Sequence, residues 1–256
     1  MTENGGPAGP DLSRIAVREP PPPKAKRFYK VVSVDTQGDQ HRILLDGRPV
    51  KTPLKKTLDT PHRALAQAVA DEWQAQKTEI DPVAMPLTRL LSTSIDRVAM
   101  ERPAMMQSLL AYIDTDLLCY RAPHPAVLKQ RQAAVWQPIL DWLEATHGIG
   151  LTVAQGVLPV SQPTSAGLAA AALLAQLSND KFTALQVGAA ATGSVGLGIA
   201  LAHGHLNAAE VFAASQLDET FQNETWGEDY EAMERRRRIE AEVAAVGRFL
   251  ALISSK

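Results

Sequence analysis

The run Phe182 to Ala202 carries no charged residue. At 1.5 Å rise per residue a helix of that length could span about 30 Å of hydrocarbon. Its composition argues against a membrane span. Gly188, Ala189, Ala190, Ala191, Gly193, Gly196 and Gly198 dominate it, large apolar side chains are few, and basic flanks are weak. The better reading is a helix buried on all sides in a bundle, with small residues that let neighbouring helices approach closely. Such a helix has no face to give to water, so the rest of the chain must wrap it.

The chain is long enough to do so. Its 256 residues are 45% hydrophobic and 21% charged, which suits an ordinary globular protein with a sizeable core. A formal net charge of −2 gives no global pull toward nucleic acid or anionic membrane. Cys119 is the sole cysteine, which excludes an intrachain disulfide and a cysteine-based zinc site and fits a reducing compartment. Met1 to Pro23 has no apolar core region of a signal peptide and is a poor match to an Arg-rich transit peptide. With Pro20 to Pro23 it reads as a mobile Pro-rich leader, residues 1–25.

Two periodicities divide the remainder. Phe28–Val34, His41–Leu45 and Arg48–Thr52 read as strands. Gln37-Gly38-Asp39 supplies one turn, and Asp46-Gly47 a hairpin turn whose residues tolerate positive φ. Pro49 confines the third strand to an edge. After this short β-meander, Thr60-Pro61 reads as an N-cap and first helical position. A helix over His62–Lys77 follows, with Leu65, Val69 and Trp73 on one face, then a second over Thr88–Val98. Residues 26–100 are therefore expected to form an α+β domain.

Residues 101–256 are expected to be all-α, so that the chain is predominantly helical. Pro103 should start a helix with Met106, Leu109, Leu110, Ile113 and Leu117 buried. Ala126–His147 should be the next, its inward face carrying Leu128, Val135, Ile139 and Leu143, kinked at Pro138 and ended by Gly148 and Gly150. A brief extended piece falls at Leu151–Val153. Further helices are expected over Thr164–Leu177, Lys181–His203 and Ala208–Asn223, the last opened by a capping box from Asn207 and Glu210. The final helix runs from about Glu228 to Ile253.

No segment carries a catalytic signature. Gly193-Ser-Val-Gly-Leu-Gly198 has the wrong glycine order for a dinucleotide loop, follows no strand, and is expected mid-helix. His203 and His205 lack a recognisable third metal ligand. Asp114 and Asp116, beside Tyr112 and Tyr120, point to different helix faces. Cys119 lies in an apolar run and reads as a packed thiol.

The densest polar feature is the acid block from Asp218 to Glu234, followed by Arg235 to Arg238. Glu231 with Arg235, and Glu234 with Arg238, have helix-supporting spacing. Phe221 and Trp226 sit among the acids. They suit a binding surface, while Trp226-Gly227 equally suits a buried joint between the last two helices. Glu240 heads a strip with Ala244, Gly247 and Ala251, which suggests close approach of another chain or helix; a plain exposed acid fits as well.

Several segments in order resemble one family: Phe28-Tyr-Lys, Ile43 to Pro53, Glu72-Trp73, Met85 to Leu90, Ser94-Ile-Asp96, Asp116 to Ala122, Trp136-Gln-Pro138, Gly188 to Ser194, Asp218-Glu219 and Trp226-Gly-Glu228. They resemble the assembly chaperones of the F-type ATP synthase catalytic sector that bind its unassembled alpha subunit. The resemblance runs from about Lys26 to the C-terminus. It implies a chaperone that shields the alpha subunit and releases it to the beta subunit, with no catalysis, no cofactor and no metal. It implies a protein that is monomeric when free, with no nucleic-acid partner and no membrane insertion. A bacterial cytoplasmic location is implied, the mitochondrial matrix being the counterpart in eukaryotic relatives. Family function is associated with acids of the C-terminal helical region. Carried over, Glu240 leads, followed by Asp218, Glu219 and Glu228, with Phe221 and Trp226 as aromatic candidates. An interaction scaffold with other clients and an enzyme of unknown reaction are the alternatives.

Overall fold

The computed structural model describes residues 25–156, 158 and 160–255. The expected leader lies outside the described residues except for Ala25, which belongs to the first strand. That strand, β1 (Ala25–Lys26), pairs antiparallel with a later one. β2 (Val32–Gln37), later than the expected Phe28–Val34, and β3 (Gln40–Leu45) form a hairpin around the expected turn, Val32 facing Leu45 and Gln37 facing Gln40. Asp46 and Gly47 then turn the chain at φ 48° and 78° into β4 (Arg48–Pro49) on the edge. The Asp46 carboxylate ties this turn back by accepting from the Lys30 and Val31 amides, which hold its pKa below the usual range. β5 (Asp59–Thr60) pairs with β3 at His41 and Arg42.

Helix α1 (Arg63–Ala75) lays Leu65, Ala66, Val69 and Ala70 against β2 and β3. It starts later than Thr60-Pro61 suggests. Thr60 is held in β5, where its hydroxyl accepts from the His62 amide (3.2 Å), and no side chain caps α1 itself. β6 (Glu79–Ile80) pairs with β1. α2 (Pro86–Thr93) is capped from across the fold: Glu72 of α1 accepts from the Leu87 and Thr88 amides, both at 2.8 Å. Burial still pushes the Glu72 carboxyl above its ordinary pKa.

Pro103 does not start a helix. A widened turn at Ser94–Val98 carries α2 into α3 (Ala99–Tyr112), and Pro103 lies inside α3. Pro103 has no N–H to give the Ala99 carbonyl, so α3 forgoes that hydrogen bond. The turn also buries Asp96, which accepts from the Thr52 hydroxyl (2.7 Å) and the Leu54 amide (2.9 Å). β7 (Tyr120–Arg121) follows. α4 (Ala126–His147) has the predicted bounds and ends on Gly148 at φ 68°. Its inward face is Leu128, Gln132, Trp136, Ile139, Leu140 and Leu143, while Val135 faces outward. The extended piece is β8 (Ala154–Gln155), three residues beyond the expected one and parallel to β7.

After α5 (Thr164–Gln176), the uncharged run proves to be two helices. α6 (Asn179–Thr192) ends on Gly193 at φ 72°, and Ser194 caps α7 (Val195–Ala202) by accepting from the Leu197 amide. A left-handed residue cannot continue a right-handed helix, so the run folds back on itself. Every residue of α7 is buried. Gly198 makes the close approach possible, because a Cβ there would stand 2.9 Å from the Leu185 carbonyl oxygen. Among the described residues no helix is long and apolar enough to cross a membrane.

The helix expected over Ala208–Asn223 is likewise broken, at Gln216, into α8 (Ala208–Ser215) and α9 (Leu217–Trp226). The Asn207–Glu210 capping box is present at the start of α8. α10 (Tyr230–Ser254) buries Val243, Val246, Phe249, Leu250 and Ile253 and packs on α1, α2, α6 and α8. The β-meander end and the helical end thus share one continuous apolar core.

Candidate functional site

The acid block is split between α9 and the start of α10, and the two parts sit differently. α9 is seated on α4 by side chains from both helices. Gln132 of α4 donates to Asp218 (2.8 Å), and Arg131 pairs with Glu224. The Arg131 guanidinium lies 5.4 Å from the centroid of the Phe221 ring. Phe221 is buried, so the first aromatic of the block anchors α9. Trp136 secures the preceding helix by donating from its indole to the Ala214 carbonyl (2.9 Å).

Beyond Phe221 the surface is open. Trp226 and Tyr230 are each 77% exposed, which settles the tryptophan against a buried joint. Glu228 and Asp229 between them are also exposed, and Asp229 caps α10 by accepting from the Ala232 amide. The break is made by Gly227 at φ 90°, which leaves α9 and α10 as separate helices with aromatics at their meeting point. The result is an apolar projection rimmed by carboxylates, the composition of a protein-binding surface.

The other acids fall as follows. Asp218 and Glu219 are half-buried on the first turn of α9. Glu240 is exposed on α10, and no ion pair holds it among the described residues. Its small-residue strip is approached within the chain at one point: a Cβ on Gly247 would stand 2.8 Å from that of Ala208. Ala244 and Ala251 remain exposed. The expected four-residue acid–base pairs are not what α10 uses. Glu234 pairs with Arg237, one helical step nearer, and Arg236 covers the Phe212 ring at 5.4 Å.

The chemistry considered from the sequence resolves locally. The glycine run does stand at a helix N-terminus, contrary to the mid-helix expectation. Its amides are already used: Gly196 donates to Asp116 (2.9 Å) and Leu197 to Ser194 (2.9 Å). Asp116 is fully buried, also accepts from the Leu118 amide (3.0 Å), and has its pKa raised by burial. The chain's own carboxylate therefore fills the place a phosphate would take. His205 stacks on Trp142 at 4.1 Å, and His147 and His203 lie 4.8 Å apart. Burial lowers the pKa of both His147 and His203. No group of three or more ligating side chains is placed to hold a metal among the described residues. Burial pushes the Cys119 thiol up to about 12, that of an inert packed thiol.

Gln132, Arg121 and Arg131 were not singled out from the sequence. One signal was available for Gln132, a polar residue between Leu128 and Trp136 at four-residue spacing on an otherwise apolar face.

Comparison with known proteins places these features in a family. A family model described as ATP12 chaperone protein matches residues 26–144. The crystal structure of Atp12 from Paracoccus denitrificans superposes with a TM-score of 0.84 at 39% identity, covering 89% of this chain and 98% of that one. The crystal structure of a protein of Agrobacterium tumefaciens superposes at 0.85 with 39% identity, 95% of each chain being covered. The mitochondrial protein atp12 of Schizosaccharomyces pombe is 25% identical over 219 residues, 81% of this chain and 75% of that protein.

Proposed function

The chain belongs to the ATP12 chaperone family, a family of ATP synthase assembly chaperones, and from that premise we propose that its client is the unassembled alpha subunit of the catalytic sector. The single observation that carries the reading to a surface is the exposed Trp226 and Tyr230, set between Glu224, Glu228 and Asp229 at the α9–α10 break. An unassembled subunit exposes apolar surface meant for its neighbour. Trp226 and Tyr230 would cover part of it, and the carboxylates would pair with basic groups of the client and fix its orientation. Release then follows when the beta subunit competes for the same surface, so the affinity is moderate. The protein acts by binding, without catalysis, as a monomer when free, in the bacterial cytoplasm.

Within this reading the acids have different parts. Asp218 is held in place and Glu219 stands beside it, while Glu228 lines the open rim. Glu240 stays a candidate through its exposure alone, and Asp218 now ranks ahead of it because it is pre-organised. Phe221 supports α9 from below. The test is suppression of alpha-subunit aggregation by the purified protein, with Trp226→Ala alongside. The variant should keep its unfolding midpoint, since an exposed side chain contributes within about 0.5 kcal/mol, and should protect the client less. An excess of wild-type protein that leaves aggregation unchanged would refute the function.

A further inference from the structure

Asp218 does not merely lie on the surface of α9; the interior fixes it. Gln132 beneath it is 1% exposed. The Ala122 amide donates to Gln132 Oε1 at 2.7 Å, and Gln132 Nε2 donates to Asp218 Oδ1 at 2.8 Å. A backbone N–H can only donate, so it dictates which end of the Gln132 amide is oxygen. The Nε2 group is thereby committed to Asp218 and cannot flip away.

A cation lies under the same acid. Arg121, next to Ala122 in the chain, is 5% exposed, donates through Nη1 to the Leu118 carbonyl and sits 5.1 Å from the Trp136 ring centroid. Its Nη2 has no hydrogen-bond partner. Burial lowers the Arg121 pKa, and Cys119 and then Asp218 oppose that shift. Asp218 Oδ2 has no hydrogen-bond partner among the described residues.

Resting on the client reading above, we infer that Gln132 is a positioning residue for client recognition: it holds Asp218 by Oδ1 and leaves Oδ2 free for a lysine or arginine of the alpha subunit. A carboxylate already oriented by a buried donor loses little side-chain freedom on pairing. The hydrogen bond that fixes it is one to a charged group, the stronger kind.

The experiment is a double-mutant cycle in affinity for the isolated alpha subunit, using the full chain. Gln132→Met keeps the shape of the side chain and removes both the donor to Asp218 and the acceptor of the Ala122 amide; Asp218→Asn removes the charge. Gln132→Met is expected to weaken binding roughly tenfold, the scale of one hydrogen bond to a charged group. In the Asp218→Asn background it should have little further effect. Unfolding midpoints measured on the same samples separate this coupling from a loss of stability. Equal losses in both backgrounds, or no loss in either, would overturn the inference while leaving the client intact. If wild type does not bind alpha at all, the client reading falls and the inference with it. Should Gln132→Met fail to fold, Gln132→Glu keeps the acceptor for Ala122 and sets a second carboxylate against Asp218. Its defect should then depend on Asp218 in the same way, and independence of Asp218 would refute the inference.

Discussion

Replacing Asp116 by alanine removes the acceptor of two buried amides, those of Leu118 and Gly196. An orphaned buried donor costs about 1–3 kcal/mol, so the two together cost about 2–6 kcal/mol. Part of that is returned, because the carboxylate itself is fully buried and its charged form is disfavoured there. A net loss of about 2–4 kcal/mol is expected. That is a large share of the roughly 5–15 kcal/mol that holds a domain together. Asp116→Asn keeps one carbonyl acceptor and presents a donor to the other amide, so its loss should be intermediate. Urea unfolding followed by circular dichroism measures both, with an unchanged denaturant slope as the sign that the native and unfolded states keep their extent. A loss below about 0.5 kcal/mol for Asp116→Ala would refute the claim that this carboxylate caps α7.

Three further outcomes are expected. Gly198→Ala should destabilise by about 1–3 kcal/mol, the usual cost of overpacking, because its methyl meets the backbone of α6 at Leu185; a stabilised variant would show that α6 and α7 can part freely. Cys119, with its thiol pushed up to about 12, should resist alkylation in the native protein at neutral pH and react once urea unfolds it; native-state reaction at the rate of a free thiol would contradict its burial. His147 and His203 have folded pKa values below the ordinary histidine value of about 6.5, held down by burial. As pH falls the unfolded chain takes up protons first. The stability these residues contribute is present above about pH 6.5 and is lost as pH falls through their folded values. His203→Gln should therefore flatten the decline of stability as pH falls below about 6.5, and an unchanged slope would exclude this pair as its cause.

What could be read from the chain was what local chemistry dictates. Asp46-Gly47 set the hairpin, the spacing of Leu128, Ile139 and Leu143 with Gly148 behind them set α4 to its bounds although Trp136 and not Val135 faces inward, and Asn207 with Glu210 marked the start of α8. The expectations that failed were those decided by distant partners. Thr60 could not cap α1 because β3 holds it in a strand. The run from Lys181 to His203 has helical composition throughout, yet folds back at the left-handed Gly193, and Asp116, far away in sequence, accepts from the Gly196 amide at the start of the second helix. Gln216 breaks the helix over Ala208–Asn223 where α9 turns to seat on α4. For the site, the acids and both aromatics were visible in the sequence. Their separate parts were not: Phe221 is buried by Arg131 and Trp226 is exposed, and only the packing of α9 distinguishes them.

The central claim is that this chain holds the unassembled alpha subunit through the α9–α10 surface. Its most direct measurement is co-purification of the isolated alpha subunit with the full-length protein, compared between wild type and Asp218→Lys at matched stability. The account expects a complex with wild type that is lost or strongly weakened by the charge reversal. Equal recovery of alpha with both proteins, or with neither, would contradict it.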